Sequence, residues 1–155
     1  MHSIQNRAMM SVPGNVYTQQ TMPIWLVCED EKQVEDMVLT FYEHLGVEGL
    51  SFASGEDALR WIDLVDRGQH DGELPQLAII DIHFYGSVNG VDIAQRLRQS
   101  PYLQSIVIVL MTAMELRPDE EREVVALTGC DLLLKKPLPG LKDLNRLLFG
   151  LVGGR

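Results

Sequence analysis

The stretch Leu77–Gly90, LAIIDIHFYGSVNG, runs from uninterrupted apolar residues into an aspartate and then a polar loop containing glycine. Leu77, Ala78, Ile79 and Ile80 do not alternate with polar residues. A strand made of them has both faces covered, as in a parallel sheet between two layers of helices. Asp81 has no place inside such a strand, but it fits at its end, where the sheet opens to solvent. After Asn89-Gly90 the spacing of Val91, Ile93, Ala94 and Leu97 predicts a helix from about Gly90 to Gln99.

The same strand-then-helix unit recurs on both sides. IWLVC (Ile24–Cys28) reads as a short buried strand. A helix follows with Val34, Met37, Val38, Phe41 and Leu45 on one face, and Gly46 ends it. Gly49–Ala53 is a second strand. Ser54 then caps a helix, with Asp57 three residues on and Ala58, Leu59, Ile62 and Val65 turned inward. Gly68–Pro75 is a polar loop leading into the strand Gln76–Asp81. Downstream, Ser105–Ala113 holds a fourth strand in the most apolar run of the chain. Pro118 and the acids after it suit a helix start, and Gly129 its end. Asp131–Leu134 is a fifth strand. Leu141, Leu144, Leu147, Leu148 and Leu151 form the seam of a last helix, with apolar positions left over for a dimer or partner face. Five such alternations predict an open parallel α/β sheet with helices on both sides and right-handed crossovers.

At 155 residues, 46% hydrophobic and 23% charged, the chain is one ordinary globular domain by composition. A net charge of −9 excludes a nucleic-acid backbone binder and a basic membrane patch. With no membrane-spanning run and no signal peptide, the expected location is the cytoplasm. Cys28 and Cys130 then read as reduced core thiols. Residues 1–22 hold one Arg and no acid, lack any period and contain Pro13-Gly14. They are expected to be a flexible tail before a domain spanning 23–155, with Met22 an alternative start.

In a sheet of this kind ligands sit beyond the carboxyl ends of the strands. The first strand ends in Glu29-Asp30-Glu31, the third in Asp81, the fourth in Thr112-Ala113 and the fifth in Lys135-Lys136-Pro137. Carboxylates brought together repel, and a hard divalent cation such as Mg²⁺ relieves that repulsion through oxygen ligands. A carboxylate there can attack a phosphoryl group, with a lysine ammonium and a hydroxyl offsetting charge on the transferring oxygens. Each residue also has a plain reading. Asp30 could cap the first helix with Gln33 completing a capping box, Asp81 and Thr112 could be turn residues, and Lys136 a solvated charge. Glu31 suits the first turn of a helix, Lys135 solvent, and Trp25 and Trp61 packing. His2, His44 and His70 fit loops or exposed faces.

In order along the chain, CEDE (Cys28–Glu31), IIDIH (Ile79–His83), LMTA (Leu110–Ala113) and LKKP (Leu134–Pro137) resemble the four motif sites of response-regulator receiver domains. The resemblance runs from about Pro23 to the end of the last helix. It implies a flavodoxin-like (βα)5 fold with strand order 2-1-3-4-5. It also implies Asp81 as the phosphoacceptor. Asp30 would bind Mg²⁺ directly, Glu29 would usually act through water, and the His83 backbone carbonyl would be a further ligand. Thr112 becomes the switch hydroxyl and Lys136, before Pro137, the phosphate-contacting lysine. The implied donors are a histidine kinase or a phosphotransfer protein. The implied output is a face of the fourth helix, fifth strand and fifth helix.

Two departures stand out. Leu133 takes the aromatic switch position, which puts the coupling of Thr112 to an aromatic side chain in doubt. The loop after Asp81 is one residue longer than the common form and lacks its Met-Pro; His83 and Met114 flank the phosphorylation site. Only four residues follow Leu151. The expectation is therefore a non-enzymatic, single-domain response regulator acting through a downstream protein, another relay member or its own dimer. The alternatives are a pseudo-receiver signalling by constitutive contacts and a small Mg²⁺-dependent phosphatase. The phosphatase reading lacks a second aspartate two residues after Asp81 and room for a substrate cap. A flavin carrier would need a small-residue phosphate loop where EDEKQ stands.

Overall fold

Side chains of a strand point alternately to opposite faces, so an uninterrupted apolar strand feeds two cores at once. Trp25 and Val27 of β1 (Ile24–Cys28) enter one core with Leu77 and Ile79 of β3 (Leu77–Asp81) and Val107, Val109 and Met111 of β4 (Val107–Thr112). Leu26, Cys28, Ala78, Ile80, Ile108 and Leu110, the intervening residues, enter the other. The structure, a computed structural model, describes residues 21–154; the expected N-terminal tail lies outside them apart from Thr21 and Met22.

The first core is closed by Val38 and Tyr42 of α1 (Lys32–Leu45) and by Leu144 and Leu148 of α5 (Leu141–Gly153). The second is closed by Ala58, Ile62 and Val65 of α2 (Gly55–Asp66) and by Ile93, Ala94 and Leu97 of α3 (Gly90–Gln99). Val124 of α4 (Pro118–Thr128) packs at the edge of this core. With β2 (Glu48–Phe52) and β5 (Leu132–Lys135) the five strands form one parallel sheet of order β2-β1-β3-β4-β5. This is the flavodoxin-like arrangement. Among the described residues no helix is long and apolar enough to cross a membrane.

The local signals act as read. Ser54 Oγ accepts the Asp57 N–H at 3.1 Å, and Asn89 and Asp92 form a full capping box at the start of α3. Gly46 and Gly129 close α1 and α4 in left-handed conformations. Several expectations need correction. β2 and β5 lie one residue away from the ranges expected, at Glu48–Phe52 and Leu132–Lys135, and β3 begins one residue later, at Leu77. β2 is an edge strand with an exposed beginning, not a run covered on both faces. The α1 face centres on Tyr42, whose hydroxyl donates to the Leu26 carbonyl at 2.6 Å, whereas Met37 faces solvent. The polar tip of Tyr42 is satisfied by a strand carbonyl, so the ring can fill the space beneath β1. Leu141 and Leu147 of the expected seam are exposed, and Cys130 is only partly buried. Asp30 does not cap α1: the N-cap is Glu31, with no side-chain cap bond.

Gly90 fixes how α3 meets the sheet. A Cβ there would lie 2.0 Å from the Asp81 carbonyl oxygen, and the Gly90 N–H donates to the Ile82 carbonyl at 2.8 Å. Gly90→Ala is therefore expected to destabilise by about 3 kcal/mol through forced backbone displacement. Gly150→Ala, in α5 with open space around it, is expected to stabilise by about 0.5 kcal/mol by adding helix propensity. Denaturant midpoints of the two variants check the contrast.

Candidate phosphoacceptor and metal site

The order of the strands puts a switch between β1 and β3, the site that open α/β sheets use for ligands. Cys28 pairs with Ile80, and Asp81 with Met111. Beyond these pairs the sheet extends by single bonds: Glu29 N–H to the Phe52 carbonyl, Ile82 N–H to Met111 and Lys136 N–H to Thr112. The charged strand ends therefore project from one edge.

There, Glu29, Asp30 and Asp81 each offer a carboxylate oxygen within 4.8 Å of the others. Glu29 is 0% exposed and Asp81 5%, so their mutual repulsion is little screened by water. The Lys136 ammonium answers it, lying 3.0 Å from Glu29 Oε1, 3.0 Å from Asp81 Oδ2 and 3.9 Å from Glu31 Oε1. The peptide bond from Lys136 to Pro137 is cis. Backbone N–H groups hold the other oxygens. Glu31 donates to Glu29 Oε2 at 3.1 Å, His83 to Asp81 Oδ1 at 3.1 Å and Tyr85 to Asp30 Oδ2 at 2.8 Å.

Burial pushes the Glu29 carboxyl up to about 7, against the opposing pull of the Glu31 N–H and Lys136; the Asp81 charge adds to the rise. Burial alone would lower Lys136, but its bonds to Glu29 and Asp81 and their charges outweigh it and raise it. Cys28, the last residue of β1 and immediately before Glu29, is pushed up to about 12 by burial, which leaves an unreactive thiol.

A cleft of about 220 Å³ lies over this cluster, lined by Asp30, Glu31, Asp81, His83, Phe84, Tyr85, Ala113 and Lys136. Glu29 does not line it but meets it through Lys136, which bonds both Glu29 and Asp81. Three carboxylates make an all-oxygen donor set, which fits a hard cation such as Mg²⁺ and no soft one. Thr112 is buried and lines the neighbouring pocket of about 100 Å³, together with Met114, Glu115, Leu133 and Lys135. Its Oγ1 accepts the Met114 N–H at 3.0 Å. Lys135 is exposed and paired with Glu115.

Glu29, Asp30, Asp81, His83 and Lys136 are thus brought together, while Thr112 sits one pocket away beside Leu133. Residue patterns did not disclose Tyr85, whose backbone N–H holds Asp30 across 55 residues.

No family model and no curated protein matches the chain. Solved structures do. A chemotaxis protein from Vibrio cholerae superposes with a TM-score of 0.70 at 19% identity, over 84% of this chain and 99% of that one. A response regulator, described as putative, from Chloroflexus aurantiacus gives 0.70 at 23% identity, over 86% and 99%. The receiver domain of a sensor histidine kinase from Pseudomonas aeruginosa, whose structure holds a magnesium ion in its active-site cleft, gives 0.69 at 21%, over 86% and 99%. The chain therefore has the fold of receiver domains.

The raised Glu29 has a measurable consequence. The folded protein holds the Glu29 proton up to about pH 7, whereas the unfolded chain releases it near the ordinary 4.5. The unfolded state thus binds fewer protons between those values, so stability present below them is lost as pH rises through 7. In chelator, unfolding free energy is expected to fall from about pH 5.5 to about pH 8, and Glu29→Gln to lessen that fall by on the order of 2 kcal/mol. Urea titrations of both proteins across this range check it.

Proposed function

We propose that this chain is a response-regulator receiver domain that accepts a phosphoryl group on Asp81. The observation that carries the reading is the Lys136 ammonium shared at 3.0 Å between Glu29 and Asp81, inside a three-carboxylate cluster at the carboxyl edge of the sheet. A carboxylate so placed is desolvated, oriented by the His83 N–H and next to the Lys136 ammonium. Its oxygen attacks phosphorus, the bond from phosphorus to the donor's nitrogen or oxygen breaks, and an acyl phosphate forms while the leaving group takes up a proton.

Asp30, Asp81 and the His83 backbone carbonyl would hold Mg²⁺ directly, with Glu29 acting through water. Bound there, Mg²⁺ supplies positive charge to the phosphoryl oxygens. Lys136 moves from the carboxylates to the phosphoryl oxygens, a short path since it already contacts Asp81. Ala113, lining the cleft, leaves room for them. Thr112 turns its hydroxyl from the neighbouring pocket to donate to the same group.

The donors are a histidine kinase or a phosphotransfer protein. The output is a protein partner, or a second copy, on the face of α4, β5 and α5. In support, α4 fully buries only Thr128 and exposes Val125 and Leu127, while α5 exposes Leu141 and Leu147. The module binds and switches; it does not turn over a substrate.

A second reading, a phosphorylation-independent interaction module, draws on Leu133, which lines the pocket beside Thr112 where an aromatic residue would be expected. One experiment separates the two. Intact-protein mass spectrometry after incubation with acetyl phosphate is expected to give one phosphoryl adduct with Mg²⁺, none with chelator and none in Asp81→Asn. The adduct is lost in mild base. Full phosphorylation of the Asp81→Asn protein overturns the assignment, and absence of both adduct and Mg²⁺ binding supports the second reading.

A further inference from the structure

The loop after Asp81 is longer than a simple β-to-α connection needs, and three contacts tie it down. At its near end Tyr85 donates its N–H to Asp30 Oδ2 at 2.8 Å. At its middle Ser87 Oγ donates to Glu56 Oε2, on the first turn of α2, at 3.1 Å. At its far end Val88 lies against the start of α2, so closely that a Cβ on Gly55 would be 2.6 Å from Val88 Cγ1. Between the first two contacts Gly86 has φ +110°, a backbone conformation that side-chain-bearing residues rarely adopt, and a Cβ there would lie 3.4 Å from Glu56 Oε2. Tyr85 itself is 89% exposed, so its ring does not hold the loop.

We infer that Ser87 and Glu56 are positioning residues for the metal site: they strap the β3–α3 loop to α2 so that the Tyr85 N–H fixes the Asp30 carboxylate. The inference rests on the reading of the cleft as a Mg²⁺ site. A carboxylate with one oxygen held by a backbone donor has fewer orientations to lose when its other oxygen takes a cation. The same strap sets the course of the chain from His83, whose carbonyl belongs to the proposed ligand set. Glu56 and Ser87 touch no ligand and act only through the loop.

The test titrates Mg²⁺ alone into the isotope-labelled chain and follows amide shifts, including that of Tyr85. Ser87→Ala and Glu56→Ala are each expected to weaken Mg²⁺ binding about two- to five-fold, the scale of one exposed hydrogen bond. Glu56→Gln keeps an acceptor and stays close to wild type in the strap effect. The double variant is no weaker in that effect than Glu56→Ala alone, because one bond is removed once; this separates the strap from the loss of a charge. In chelator, the Tyr85 amide exchanges faster in Ser87→Ala while the unfolding midpoint is unchanged. Unaltered Mg²⁺ affinity in Ser87→Ala, or independent additive losses in the double variant, overturns the inference. Absence of saturable Mg²⁺ binding by the wild-type chain instead overturns the reading of the cleft, and this inference with it.

Discussion

A fully buried Glu29 beside a nearly buried Asp81 is the constraint around which this molecule is arranged. Two carboxylates at the edge of a dry sheet, with Asp30 close by, cost several kcal/mol unless a positive charge and good donors meet them. Lys136 provides the charge and the N–H groups of Glu31, His83 and Tyr85 provide the donors. The Glu31 and His83 donors are local, but Lys136 and Tyr85 come from 55 or more residues away and depend on the strand order. β1 and β3 must be neighbours for Glu29 and Asp81 to meet, and β5 must lie beyond β4 for a long lysine chain to reach back. The two cores hold those strands in register, and Gly90 lets α3 start against the Asp81 carbonyl.

Balance at the site is incomplete by design of the charges. One ammonium faces three carboxyl groups, and burial pushes that of Glu29 up to about 7. The protein thus sits in a state that a cation stabilises further, and a phosphoryl group draws the same lysine. Each proposed event redistributes one local charge balance. The pocket holding Thr112 and Leu133 is also lined by Glu121 of α4, the helix that exposes Val125 and Leu127.

Much of the fold was legible in the sequence because its signals are local. The apolar run at Leu77–Ile80, the Ser54 and Asn89 caps and the Gly46 and Gly129 stops each act within a few residues, and α3 falls on the expected range. The errors fall where tertiary context decides. β2 is an edge strand whose polar start only its neighbours explain, and Tyr42 is buried because Leu26 offers a carbonyl. For the site, the strand ends named the acids and the lysine. The bond from Ser87 to Glu56 and that from Tyr85 to Asp30 join residues 31 and 55 apart, and no periodicity specifies such pairs. Likewise Thr112 and Ala113 are adjacent in sequence yet line different pockets, a matter of strand pleat and side-chain rotamer.

The claim that Lys136 is the cation balancing a buried acidic cluster is tested most directly by the stability of Lys136→Met against wild type, measured by urea unfolding at about pH 8 in chelator and again in saturating Mg²⁺. Removing one partner of buried ion pairs is expected to cost about 2–3 kcal/mol in chelator. Mg²⁺ should return most of that loss, because it supplies charge to the same carboxylates. An equal loss in both conditions, or none in chelator, would contradict the account.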